Sequence, residues 1–231
     1  MTVTVCPAYP HLKPEDAEGR AAVVIDTLRM TSVAAAALEN GCRHLYTVSE
    51  VDEARALSER IGALKGGERG AVRIDGFDFG NSPLEYTPEK IAGRDLVMTT
   101  SNGTRAILAA KNAVRLYLGC MRNAAVVADL LHPYEKCVLV CAGTGGRFSL
   151  EDGLTAGAIL SHLPGAETDD LGLAMRSLYE ASKEDLMPLL GSAAHVKNLM
   201  RLGFGADIDF CMRPDAASAV PVRNGTYFER A

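Results

Sequence analysis

Short apolar runs alternate with helix-length patterns along most of this chain, and no other feature restricts its fold as strongly. Ala21 to Ile25 (AAVVI) is apolar at every position, which reads as a strand buried on both faces. It stops at Asp26. An Ala-rich helical pattern follows from Thr31 to Asn40, closed by Gly41. His44 to Val48 reads as the next strand. Val51 to Ile61 reads as an amphipathic helix with Val51, Ala54, Leu57, Ser58 and Ile61 on one face. The stretch from Lys65 to Pro88 is rich in Gly, Asp, Asn and Pro and offers only a short strand at Val72 to Ile74. Alternation then resumes with strand Leu96 to Thr99, helix Gly103 to Lys111, strand Arg115 to Leu118 and helix Asn123 to Leu131. Strand Cys137 to Cys141 and a helix from about Asp152 to His162 complete this run. Beyond Pro164 the pattern is helical (Leu171 to Ser182, Asp185 to Leu190, His195 to Leu202), with strand-like pieces near Ile208, Val220 and Tyr227. Such alternation predicts a three-layer α/β protein whose largely parallel or mixed sheet is covered by helices. The 231 residues suit one domain, 1–231, with a division into two intimate lobes near residues 119–135 left open.

The charge balance narrows the function. Lys and Arg number 24 against 29 Asp and Glu, a net charge of −5, and no Lys/Arg block occurs. A nucleic-acid partner is therefore not expected, since such proteins carry clustered basic residues. The first twenty residues lack the charged start and apolar run of a signal peptide. Apolar runs such as Val33 to Leu38 are far too short to span a bilayer. A cytoplasmic protein with no membrane partner is expected. The six cysteines sit mostly in apolar segments without a CxxC. Cys137 and Cys141 share one strand, about 13 Å apart, too far for a disulfide. Five scattered histidines with no HxH or HExxH speak against zinc. A homo-oligomer is compatible with this sequence, which does not fix the number of subunits.

Ligands of open α/β sheets collect beyond the carboxyl ends of the strands, and four polar clusters lie at such ends or in the irregular segment. The first is Asp26-Thr27-Leu28-Arg29-Met30-Thr31. A carboxylate there can hold a hard cation or attack phosphorus, and Arg29 is a cationic fork suited to phosphate or carboxylate. Equally, Asp26 could merely cap the next helix with Arg29 on the surface. Haloacid-dehalogenase phosphatases need a second Asp two residues on, where this chain has Leu28. The second cluster, Gly66-Gly67-Glu68-Arg69-Gly70, lets the backbone approach a ligand, or is a solvated turn. The third, Gly76-Phe77-Asp78-Phe79-Gly80-Asn81-Ser82-Pro83, would bury its two Phe while Asn81 and Ser82 offer neutral hydrogen-bonding groups. The fourth, Thr99 to Arg105 (TTSNGTR), sets the Asn102, Gly103 and Thr104 amides and the Arg105 side chain at a helix start, a natural place for an anion.

Two further features lie after the CVLVC strand. Cys141 and Arg147 have the Cys-x5-Arg spacing of cysteine-dependent phosphatases, but Val140 replaces the usual preceding His and Phe148 the usual Ser or Thr. Ser149 and Asp152 have the spacing of a capping box, while Glu151 and Asp152 together could supply metal ligands.

Taken together, VVIDTLRMTS (23–32), GGERG (66–70), GFDFGNSPLEY (76–86), TTSNGTRA (99–106) and CAGTGGRFSLEDGLTAG (141–157) resemble the 2-phosphosulfolactate phosphatase family. The resemblance runs in order through most of the chain and weakens beyond Pro164. It implies an α/β, Mg²⁺-dependent phosphatase that hydrolyses 2-phospho-3-sulfolactate, a small anionic phosphate ester, to sulfolactate, a step towards coenzyme M. The residues fit such chemistry. Arg29, Arg69, Asn81, Ser82, Asn102, Gly103, Thr104, Arg105 and Arg147 are the expected substrate-binding set, because an enzyme of net charge −5 must concentrate cations locally to receive an anion. Asp26, Glu68, Glu151 and Asp152 are the expected metal ligands, with Asp26 and Glu68 also the catalytic candidates. Two other functions remain: a metal-dependent phosphatase for another small organic phosphate, and a non-catalytic binder of phosphorylated ligands.

Overall fold

The computed structural model describes all 231 residues, Met1 to Ala231. In chain order the elements begin with β1 (Thr2–Cys6), α1 (Pro14–Ala17), β2 (Ala21–Ile25), α2 (Met30–Glu39), β3 (His44–Thr47) and α3 (Val51–Ile61). They continue with β4 (Leu64–Arg69), β5 (Val72–Arg73), α4 (Pro88–Ile91), β6 (Asp95–Thr99), α5 (Gly103–Ala109), β7 (Arg115–Gly119), α6 (Ala124–Leu131) and β8 (Lys136–Cys141). The last third holds α7 (Leu150–Ser161), β9 (Glu167–Thr168), α8 (Asp170–Ser182), α9 (Met187–Leu190), α10 (Ala194–Arg201), α11 (Gly205–Cys211), β10 (Pro221–Asn224) and β11 (Tyr227–Arg230).

All eleven strands join one sheet in the order β5-β4-β6-β3-β11-β10-β7-β2-β8-β1-β9. It is mixed in a specific way. Two parallel groups, β4-β6-β3 and β7-β2-β8-β1-β9, are spliced by the antiparallel hairpin β10–β11, which pairs Val222 with Tyr117 and Tyr227 with Tyr46. The sheet is continuous across residues 119–135, because β2 pairs with both β7 and β8.

Strand β2 shows how sequence becomes packing. Alternate side chains of a strand face opposite sides, and both sides of β2 are covered. Ala21, Val23 and Ile25 enter one apolar core with Leu139, Leu154 and Ile159, while Ala22 and Val24 enter the other with Met30, Val33 and Leu118. Hence the uniform AAVVI run. Truncating a fully buried member such as Leu139 to Ala should cost about 2–5 kcal/mol. Helix α2 is buried from Met30 to Leu38, and its alanines let it lie close beneath the sheet.

Several expectations are corrected. The Gly66–Arg69 stretch is the strand β4, neither a turn nor irregular. Gly66 and Gly67 are there because a Cβ on the first would collide with the Tyr86 hydroxyl, and on the second with the Thr99 carbonyl. The piece around Ile208 is helix α11, not a strand; Ile208 and Cys211 lie on its buried side at a helical spacing of three. Strand β1, whose alternating TVTVC buries Val3 and Val5, was not anticipated.

Candidate active site

The loop that leaves β2 carries Asp26 and Arg29. Asp26 is buried and accepts a hydrogen bond on Oδ1 from the Met30 amide (3.3 Å), while its own amide donates to Thr31 Oγ1 (3.1 Å). The Leu28–Arg29 peptide is cis. Arg29 is buried rather than on the surface: Nη1 donates to Asp207 (2.5 Å), Nη2 donates to the Ala71 carbonyl (3.3 Å), and Phe204 lies 3.9 Å below Cζ.

Four strands separate β6 from β2 in the sheet, yet helix α5 after β6 packs back onto β2. Ala106, Ile107 and Ala110 share the core of Ala22 and Val24. This crossing carries Ser101, Asn102 and Arg105 to Asp26. Glu68 braces the approach, accepting on Oε1 from the Ser101 amide and on Oε2 from the Ala71 amide (2.8 and 2.7 Å). Neither Asn102 nor any other side chain caps α5.

Asp152 performs the same service on the other side. It accepts from the amides of Thr27 and Gly143, both at 2.9 Å, and so ties the β2 loop to the β8 loop. It is therefore no part of a capping box with Ser149, whose hydroxyl pairs with Thr144 Oγ1 at 2.8 Å. Glu151, one residue earlier, has a buried Oε2 with no partner.

These groups line one pocket of about 400 Å³. Of the expected residues it collects Asp26, Arg29, Glu68, Asn81, Asn102, Arg105, Glu151 and Asp152. The other five lie elsewhere. Arg69 is spent beneath the site on the Ser49 and Glu68 carbonyls and on Thr99 Oγ1. Ser82 donates to Asp207 (2.6 Å), and the Thr104 hydroxyl donates to the Thr100 carbonyl. Gly103 stands behind Asp26, and Arg147 borders a neighbouring depression that shares Glu151. The structure adds His195, Asn198 and Leu199 of α10 to the lining. His195 Nε2 lies 2.9 Å from the Leu28 carbonyl; a carbonyl only accepts, so that nitrogen carries the proton.

Burial dominates the electrostatics. It pushes the Asp26 carboxyl up to about 6, with His195 acting in the opposite sense. It raises Glu151, again against His195, and holds Asp152 well above the usual carboxylate range, helped by the negative charges of Glu151 and Asp26. Crowded, desolvated carboxylates are costly unless a cation relieves them. The oxygens fit a small hard cation. Glu151 Oε2 and Asn81 Oδ1 are both buried without partners in the same pocket. No three His, Cys, Asp or Glu side chains gather into a ready-made cage; Mg²⁺ needs none, being held by one or two carboxylates plus water and substrate oxygens. Cys141 is wholly buried, and burial lifts its thiol well above the ordinary range.

A mostly parallel sheet that gathers buried carboxylates and arginines beyond its strand ends marks an α/β enzyme acting on small anionic molecules. The sequence comparisons define the class more closely. The family model for 2-phosphosulpholactate phosphatase matches residues 8–226. A probable 2-phosphosulfolactate phosphatase of Caldanaerobacter subterraneus is 43% identical over 225 residues, covering 94% of this chain and 93% of that protein. Proteins of the same description from Symbiobacterium thermophilum (42% identical; 90% and 93% covered) and Thermotoga maritima (40%; 91% and 92%) are also similar. The chain belongs to the 2-phosphosulfolactate phosphatase family, and with it to the phosphoric monoester hydrolases. No helix is long and apolar enough to cross a membrane.

Proposed function

We propose that residues 1–231 act as one Mg²⁺-dependent phosphatase unit that hydrolyses 2-phospho-3-sulfolactate to 3-sulfolactate and phosphate. One observation carries this reading: buried carboxylates with an unpartnered oxygen on Glu151 face Arg29 and Arg105 across a single small pocket. Glu151 and Asp26 would hold the ion, with Asp152 and Glu68 fixing the loops on either side of them. Bound there, Mg²⁺ would neutralise charge building on the phosphoryl oxygens.

The protein's own groups do the rest. Arg105 is exposed at the pocket rim without an ion-pair partner, and serves as the entry contact for an anion. Arg29, with Asn81 and Asn102 nearby, receives the phosphate or the second acidic group. Asp26 has two compatible roles. As nucleophile, its oxygen bonds to phosphorus as the ester P–O bond breaks, the sulfolactate oxygen keeping the electron pair and taking a proton from water. A second water then attacks the phosphorus, breaking the Asp26 O–P bond to release phosphate and restore the carboxylate. As a metal ligand alone, it leaves the attack to water. Asp26→Asn separates them: a lost nucleophile abolishes turnover at any Mg²⁺ concentration, whereas a lost ligand is partly restored by excess Mg²⁺.

Membership of the 2-phosphosulfolactate phosphatase family supports the substrate, and the density of anion-binding groups suits a molecule bearing phosphate, sulfonate and carboxylate. The deciding experiment screens small phosphate esters, phosphosulfolactate among them, with and without Mg²⁺. Preferred turnover of phosphosulfolactate that stops in EDTA is the expected result. Full turnover after exhaustive chelation would rule out the metal, and a stronger preference for another ester would replace the substrate.

A further inference from the structure

Arg29 is held by residues that no local motif announces. Its guanidinium meets Asp207 of α11, and the pair is almost completely buried, with side chains 2% and 4% exposed. The second Asp207 oxygen accepts from Ser82 at 2.6 Å, so both ends of the carboxylate are fixed. Phe204, one turn before Asp207, closes one face of the guanidinium. Of five N–H donors, one on Nη1 goes to Asp207 and one on Nη2 to the Ala71 carbonyl, which leaves three, one each on Nε, Nη1 and Nη2, on a residue that lines the pocket. A buried ion pair is a poor device for stability, since apolar residues of equal volume often do as well. As a device for aiming a planar cation it is effective: carboxylate, carbonyl and ring fix three directions at once.

We propose that Asp207 is a positioning residue of the active site, which, locked by Ser82, orients Arg29 so that its remaining N–H groups bind an anionic group of the substrate. The last helical third of the chain would thereby complete a site whose carboxylates come from the first two thirds. His195 supports this by anchoring the neighbouring Leu28 carbonyl from α10. The proposal rests on the reading of this pocket as a phosphate-ester site.

A kinetic cycle tests it, with Asp207→Asn, Arg29→Gln and the double variant compared with wild type on phosphosulfolactate at saturating Mg²⁺. Asp207→Asn should lower kcat/KM by roughly 10- to 100-fold, and the double variant should be no worse than Arg29→Gln alone, because groups acting as a unit are not additive. Ser82→Ala, a gentler change, should cost about 3- to 10-fold, and nothing in the Arg29→Gln background; it decides the matter if Asp207→Asn does not fold. Inorganic phosphate affinity, measured by calorimetry on the same proteins, should follow the same pattern. If wild type does not hydrolyse phosphosulfolactate, the substrate assignment fails while the phosphate series still judges Asp207. An Asp207→Asn protein that melts earlier but keeps wild-type kcat/KM and phosphate affinity would overturn the proposal, as would losses that add fully in the double variant.

Discussion

Gly103 stands so close to Asp26 that a methyl group on its Cα would lie 2.6 Å from Oδ2, and 3.0 Å from the Met30 side chain. The α5 crossing thus sets the position of the central carboxylate. Gly103→Ala should lower kcat/KM by about 100-fold by displacing Asp26, although Ala favours a helix. Steady-state kinetics beside a thermal melt will check this; unchanged kinetics would mean that Asp26 can shift freely.

Adjacent residues on α7 should behave differently. Both Asp152 oxygens receive amides, so Asp152→Asn turns an NH₂ toward an N–H donor and should destabilise by about 1–3 kcal/mol, read from urea unfolding. Glu151 Oε2 has no such duty. Glu151→Gln should fold normally and need a higher Mg²⁺ concentration for half-maximal activity.

Arg105→Ala should reduce kcat/KM by about ten- to a thousand-fold with little change in melting temperature. Its guanidinium supports no other part of the fold. Wild-type kinetics would make it a surface residue only.

Cys141→Ser should retain most of the activity, and iodoacetamide should inactivate slowly, because the sulfur is inaccessible and its pKa raised by burial. Loss of turnover by orders of magnitude in the folded variant, with wild type indifferent to EDTA, would restore the thiolate mechanism.

Acid stability should reveal a pair far from the site. Two Arg43 hydrogen bonds (2.6 and 2.9 Å) hold the Asp95 carboxyl below its ordinary 3.8, against the opposing effect of burial. A depressed folded value stabilises fully above the unfolded pKa and fades as pH falls through the folded one. The stability difference between wild type and Arg43→Ala should therefore be constant above about pH 5 and shrink below pH 4. A difference independent of pH would exclude the pairing.

What the sequence reveals here depends on how local the cause is. Asp26 was legible because it follows a buried strand directly, and Arg105 because it closes the polar turn between another buried strand and its helix. The glycines of β4 misled because the reason for them lies in Tyr86 and Thr99, which come to meet that strand from elsewhere. Around Ile208, the alternation of Asp and apolar residues imitates a strand, and tertiary packing selects the helix. Asp207, His195 and Asn198 gave no signal at all. His195 and Asn198 reach the pocket, and Asp207 reaches Arg29, from a segment without glycine-rich or strand-end clusters; only the folded chain brings Asp207 to Arg29 and His195 to Leu28.

The hairpin β10–β11 has a consequence for how the molecule is made. It is the only hydrogen-bonded link in the sheet between β3 and β7, and it comes after every other strand. During synthesis the two parallel groups must wait, side by side, until Arg230 has left the ribosome. Their unpaired edges at β3 and β7 are exposed throughout that interval, and closing such distant pairings is slow. Anything that delays the hairpin leaves two adhesive half-sheets, so the yield of native protein in the cell should depend more on these final strands than on the residues of the pocket.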